Sequence, residues 1–170
     1  MICPSCGYEN IEGTDRCDNC MTSLLKLNSG EVDSAVGLAR SVMENKLAQL
    51  QQEPAVVVQL DTPAIDVVRK MRASRAGCAL VLDGNRLAGI FTEHDVLNKL
   101  TGDQPKPIST SVRDLMSADP EILRESDSIA EALNKMSIGR YRHIPVTRND
   151  GSYSVTSIKS VLQYIAGEDW

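Results

Sequence analysis

Gly89-Ile90-Phe91-Thr92-Glu93-His94-Asp95-Val96-Leu97 reads as the end of a buried strand running directly into a helix. Thr92 stands at the junction, and Asp95 follows three positions later. Sixty-five residues on, the pattern returns in weaker form as Ser154-Val155-Thr156-Ser157-Ile158-Lys159-Ser160-Val161-Leu162. Two copies of one strand-to-helix junction predict two copies of one small unit. A unit of about 50 residues is marginal by itself, so the two are expected to pack into a single domain.

Working outward, each junction sits in the same order of elements. In the first repeat, residues 56–58 form a β-branched strand, Thr62 caps a helix and Pro63 takes its first position. Ile65, Val68 and Met71 give that helix its apolar spacing. Strand 78–82, a turn at Asp83-Gly84, strand 87–91 and helix 93–100 complete the unit. The second repeat reads as strand 121–123, helix 128–136, strand 143–146, a turn at Asp150-Gly151, strand 153–156 and helix 158–165, closed by Gly167. A Gly/Pro-containing linker, 101–107, separates them. The expected fold class is mixed, α+β or α/β, with two β-α-β-β-α repeats related by a pseudo-twofold. Their expected boundaries are 54–100 and 112–166.

This order, the 89–95 motif, the stretch Val112-Arg113-Asp114-Leu115-Met116 and the strand Arg142-His143-Ile144-Pro145-Val146 resemble tandem CBS domains, the regulatory module named from cystathionine β-synthase. The resemblance covers about two thirds of the chain, residues 54–166. It implies a module that commonly dimerises and whose clefts often bind adenosine ligands: AMP, ADP, ATP or S-adenosylmethionine. By that resemblance Asp95 would take the ribose hydroxyls and Thr92 would reach toward phosphate. A carboxylate can accept from both hydroxyls of a diol, and a hydroxyl at a helix N-terminus lies where anions settle. Read without the family, Thr92-x-x-Asp95 is equally a helix-capping pair. In the second repeat Ser157 matches Thr92, but Ser160 replaces the aspartate, so that site is expected to be degraded. Arg142 and His143, with Arg140 nearby, match the strand start that reaches nucleotide phosphates in the family; a solvated basic loop containing Arg148 is the plain alternative.

The N-terminus carries Cys3-Pro4-Ser5-Cys6-Gly7 and Cys17-Asp18-Asn19-Cys20. Two CxxC pairs in a segment of 1–27 with few apolar residues predict a four-thiolate, closed-shell structural metal site, because so short a chain rarely folds on its own core. Metal binding contributes on the order of 10 kcal/mol to such modules. The segment resembles a zinc-ribbon knuckle; zinc is expected, and iron is the alternative for the same ligands. Glu9, Glu12, Asp15 and Asp18 outweigh Arg16 and Lys26, which suits a structural or protein-docking role better than phosphate binding. Between ribbon and repeats, Val32, Ala35, Val36, Ala39, Val42, Met43, Leu47 and Leu50 predict one connecting helix over 31–53 that covers the next core or joins a dimer interface.

A net charge of −5 with pI near 5.0 argues against nucleic acid or membrane partners. No apolar run approaches the roughly 18 residues of a membrane span. The cysteines near the start are not expected in a secretory signal, which leads to a cytoplasmic expectation. Two histidines, no phosphate-binding GxxxxGK[ST] loop and no open metal site give no case for an enzyme. The expected function is regulatory: a homodimer sensing an adenosine ligand, with a ribbon able to dock a protein. The alternative is a ligand-free scaffold or adaptor.

Overall fold

The structure, a computed structural model, describes residues 2–3, 6–11, 14, 16–21, 24, 42–51 and 55–167. The chain divides into two compact units, Met1–Glu44 and Asn45–Trp170. Among the described residues no helix is long and apolar enough to cross a membrane.

In the larger unit, strand β1 (Val56–Gln59) is followed by helix α1 (Ala64–Ser74), then by strands β2 (Cys78–Asp83) and β3 (Arg86–Thr92). Helix α2 begins at Glu93–Asp95 and widens into a π turn over Val96–Leu100. After the linker come strands β4 (Ser117–Ala118) and β5 (Leu123–Arg124), helix α3 (Ile129–Gly139), strands β6 (His143–Thr147) and β7 (Tyr153–Ser157), and helix α4 (Ile158–Ala166). One sheet has the order β1-β2-β3-β4 and the other β5-β6-β7. In both sheets the strand before the helix pairs parallel with the one after it, and the hairpin is antiparallel. The predicted β-α-β-β-α order therefore holds in both repeats.

Local boundaries differ from the sequence reading in instructive ways. Pro63, not Thr62, is the N-cap of α1, and the buried stripe is Ala64, Val67 and Met71, one position before Ile65 and Val68. The predicted strand 121–123 shrinks to Leu123–Arg124. β4 carries no sequence signal: Ser117 and Ala118 are exposed and pair with Ile90 and Gly89 of β3. A Cβ on Gly89 would lie 2.9 Å from the Ser117 carbonyl and against the Met116 side chain, which explains the glycine.

The connecting helix requires the largest correction. Of the predicted span 31–53, residues 31–41 and 52–53 lie outside the described residues; 42–44 are helical, and 45–50 leave the α-helix for a bridge and a 3-10 turn. The reason is backbone capture by the second repeat. Leu47 and Ala48 donate their amides to the Asp127 and Glu125 carbonyls at 2.9 and 3.0 Å, and the Ile129 amide donates to the Asn45 carbonyl at 3.0 Å. Leu47 and Leu50 are buried there.

The same lead-in occurs before the second repeat and docks on the first. Val112 and Arg113 donate to the Thr62 and Leu60 carbonyls at 2.9 and 3.1 Å, and Ala64 donates to Thr110 at 2.9 Å. Val112 and Leu115 join Val56, Val58, Val67, Met71, Val81 and Phe91 in the first repeat's core. Each repeat thus supplies the segment that closes the other. Val155 of the second repeat also joins Cys78, Leu80, Leu87 and Ile90 of the first in one buried cluster.

The core of the second repeat is the more polar, with Ser154, Thr156, Ser157 and Ser160 buried. The Thr156 hydroxyl is buried without a hydrogen-bond partner, where the first repeat places the fully buried Phe91. An unpaired buried hydroxyl is destabilising, and its removal at constant shape should help. Thr156→Val should raise stability by about 1 kcal/mol, read as a higher urea midpoint at unchanged m-value.

Candidate functional site

In the smaller unit the four cysteines converge. The Sγ atoms of Cys3, Cys6, Cys17 and Cys20 all lie within 4.8 Å of one another, with Cys3 to Cys20 and Cys6 to Cys17 both at 3.6 Å. Four sulfurs at about 2.3 Å from one tetrahedral ion sit about 3.8 Å apart, so the cluster is compatible with a metal site. Both CxxC segments make the same turn. The Gly7 amide donates to the Cys3 carbonyl and the Met21 amide to the Cys17 carbonyl, each at 2.9 Å, and Gly7 and Met21 both adopt left-handed backbone. The first cysteine of each pair is buried and the second exposed. Proximity makes the thiols share protons unequally. Burial opposes ionisation of Cys17, yet donors from Cys20, Asn19 and Asn10 bring it down to about 6. The Tyr8 backbone favours the Cys6 thiolate, but local desolvation and the neighbouring Cys20 and Cys17 leave Cys6 pushed up to about 11. Sequence reasoning found all four cysteines and missed Asn10, which is buried among them.

In the larger unit the Thr92–Asp95 junction forms a complete capping box. The Thr92 amide and hydroxyl donate to Asp95 Oδ2 at 2.9 and 2.8 Å, and the Asp95 amide donates to Thr92 Oγ1 at 3.3 Å. Asp95 Oδ1 receives the Lys99 ammonium at 2.6 Å, and the same Nζ donates to the Leu115 carbonyl at 2.5 Å. Lys99 was not singled out from sequence; its i+4 spacing from Asp95 was the available signal. It ties the carboxylate to the lead-in of the other repeat.

The second junction is built alike without charge. The Ser160 amide donates to Ser157 Oγ at 3.1 Å, the two hydroxyls are 3.1 Å apart, and both residues are buried. Tyr164 occupies the place of Lys99, and its hydroxyl accepts from the Asn45 side chain, again joining the helix to a lead-in.

The structure divides the predicted basic cluster. His143 starts β6 and crosses to the first repeat: a Cβ on Gly77 would lie 2.6 Å from His143 Nε2 and 3.7 Å from Glu93 Oε2. His143 therefore packs on Gly77, whose carbonyl accepts the Glu93 amide at 3.1 Å. Arg142 is exposed and its carbonyl accepts from Ile158 at 2.9 Å. Arg140 is exposed and ends α3 in left-handed backbone, as Arg75 ends α1. Arg148 lies beyond the opposite end of β6, where hollows of about 410 and 490 Å³ adjoin Glu125, Asn149 and Thr147. At about 3.4 Å per residue, β6 separates Arg148 from His143 by roughly 17 Å, so it is not part of this group.

The CBS domain family model matches residues 47–102 and 112–167. The chain is a CBS-domain protein. Both matched stretches start within the lead-ins, at 47 and 112, so the first begins before the boundary of 54 expected from sequence. The chain is 31% identical over 137 residues to the CBS domain-containing protein CBSCBSPB2 of Arabidopsis thaliana, covering 79% of this chain and 25% of that protein. The chain thus spans about a quarter of the length of the Arabidopsis relative. It is 26% identical to an uncharacterized 17.7 kDa protein of Acidianus ambivalens, over 71% of this chain and 73% of the other. Among solved structures, CBSX2 in complex with AMP aligns with TM-score 0.60 at 21% identity, over 72% of this chain and 96% of that one. A CBS-domain protein of Agrobacterium tumefaciens aligns with TM-score 0.62 at 23% identity, over 70% and 97%. These likenesses establish the fold.

The Gly77–His143 contact is testable as a packing constraint between repeats. Gly77→Ala should cost about 1–3 kcal/mol in thermal or urea denaturation, as overpacking does. In a His143→Ala background the same substitution should cost much less, and a double-mutant cycle measures that difference.

Proposed function

We propose that this CBS pair senses an adenosine nucleotide, or S-adenosylmethionine, at the first-repeat junction, and that the four-cysteine unit holds a structural zinc ion. The observation that carries the ligand reading is the convergence of two repeats on one spot: His143 of the second repeat lies over Gly77, beside Thr92 and Glu93 of the first. In this reading Asp95 takes the ribose hydroxyls, Thr92 and His143 face the phosphate, and Arg142 and Arg140 extend the cationic rim. Ser157 and Ser160 form a second, neutral and weaker site. A ligand bridging two repeats shifts their packing by as much as its affinity differs between packings, and a homodimer would relay that shift. CBSX2, of the same fold, is described in complex with AMP. Zinc at four thiolates has no open position, so the ribbon's role is structural, with protein docking as its outward use.

A second reading is favoured by one observation: the Asp95 carboxylate is already engaged by Thr92 and Lys99. A ligand would have to displace or share those contacts, and a ligand-free scaffold would not. A thermal-shift series with AMP, ADP, ATP, S-adenosylmethionine and NAD separates the readings. A true ligand at about a hundred times its dissociation constant should stabilise by about 2.7 kcal/mol, several degrees here. Asp95→Asn and His143→Ala should each diminish that shift. Flat curves for the whole series would leave the scaffold reading.

A further inference from the structure

Asn10 follows the first cysteine pair and lies in the acidic ribbon without sequence features that mark it as functional. Its side chain nevertheless occupies the interior of the cysteine cluster, with 4% of its surface exposed. Its Nδ2 donates to the Tyr8 carbonyl at 2.9 Å and to Cys17 Sγ at 3.5 Å, while its Oδ1 accepts the Asp18 amide at 2.9 Å. The partners fix the orientation of the amide, because a flipped group would set its oxygen against a carbonyl and a sulfur and its NH₂ against an N–H. One side chain therefore joins three places: the backbone after the first cysteine pair, a sulfur of the second pair, and the backbone amide just after that sulfur's residue.

We propose that Asn10 is a positioning residue of the metal site, holding Cys17 in the ligating arrangement and donating to its sulfur; this rests on the reading of the four cysteines as a metal site. Four thiolates around a divalent ion leave a net charge of −2, and an N–H donor to a thiolate stabilises that excess where water has been excluded. The Tyr8 and Asp18 contacts set the spacing of the two CxxC turns, so ligand geometry and sulfur electronics depend on the same residue. Residues around metal ligands commonly affect affinity tenfold to a hundredfold.

Aspartate and leucine separate these roles. Asn10→Asp keeps the oxygen that accepts the Asp18 amide but loses both N–H donors. Asn10→Leu keeps the bulk and loses every polar contact. The full chain would be loaded with zinc and titrated against a competing chelator, and loaded separately with cobalt(II) for its sulfur-to-metal charge-transfer band. Both variants should bind about tenfold to a hundredfold more weakly at unchanged stoichiometry. In Asn10→Asp the charge-transfer band should move to lower energy, because a sulfur without its N–H donor gives up its electrons more readily. Variants with wild-type affinity and an unshifted band would overturn the role of Asn10 while leaving the metal site standing. A wild-type protein that takes up neither ion would overturn the metal reading itself.

Discussion

Everything in the larger unit depends on the exchange of lead-in segments between repeats. Residues 45–50 precede the first repeat but close the second; residues 110–115 precede the second and close the first. Leu47, Leu50, Val112 and Leu115 are the apolar anchors, all buried. Burial of one such side chain contributes about 1.5–3 kcal/mol, so the four together are comparable to the whole stability of a small domain. Without the exchange each repeat would expose an open core and uncapped amides at the start of its first helix. The repeats are therefore one folding unit, and a change in one lead-in is felt in the other repeat.

The same exchange joins the first-repeat junction to a lead-in. Lys99 spans Asp95 and the Leu115 carbonyl, so the carboxylate on which a ribose would bind is joined to the segment that closes the first repeat. In the second repeat the charged pair is absent as a pair: Ser160 stands for Asp95 and Tyr164 for Lys99, while a hydrogen bond to Asn45 keeps the mechanical tie. Losing only one charge would leave its partner uncompensated in a partly buried setting, which is costly; losing both is tolerable. The two junctions thus share architecture and differ in charge.

The cysteine unit follows a different rule. It has little to bury, and its order comes from short-range geometry: two identical turns that each present a buried and an exposed sulfur. Met21 adopts the left-handed backbone that Gly7 adopts in the first turn, where a side chain costs roughly 1 kcal/mol or more. That strain is tolerable where the hydrogen bond from Met21 to Cys17 over-determines the turn.

Local pattern was enough to reveal the two repeats, their strands and hairpins, the junction residues Thr92 and Asp95, and the four cysteines. Each of these rests on neighbours in sequence: alternation, a turn dipeptide, a capping spacing, a CxxC. What tertiary structure alone decided involves backbone groups or residues far apart in sequence. Periodicity placed Leu47 and Leu50 on a long helix, and the second repeat drew them into a 3-10 turn because its carbonyls were available to their amides. β4 has no apolar signal, since it is an exposed edge strand held by backbone pairing. Four basic residues looked like one patch, but a five-residue strand set Arg148 apart from His143. Sequence determined which pieces exist, because their physics is local. The fold determined which pieces close each other, because that depends on buried surface and on hydrogen bonds between distant parts of the chain.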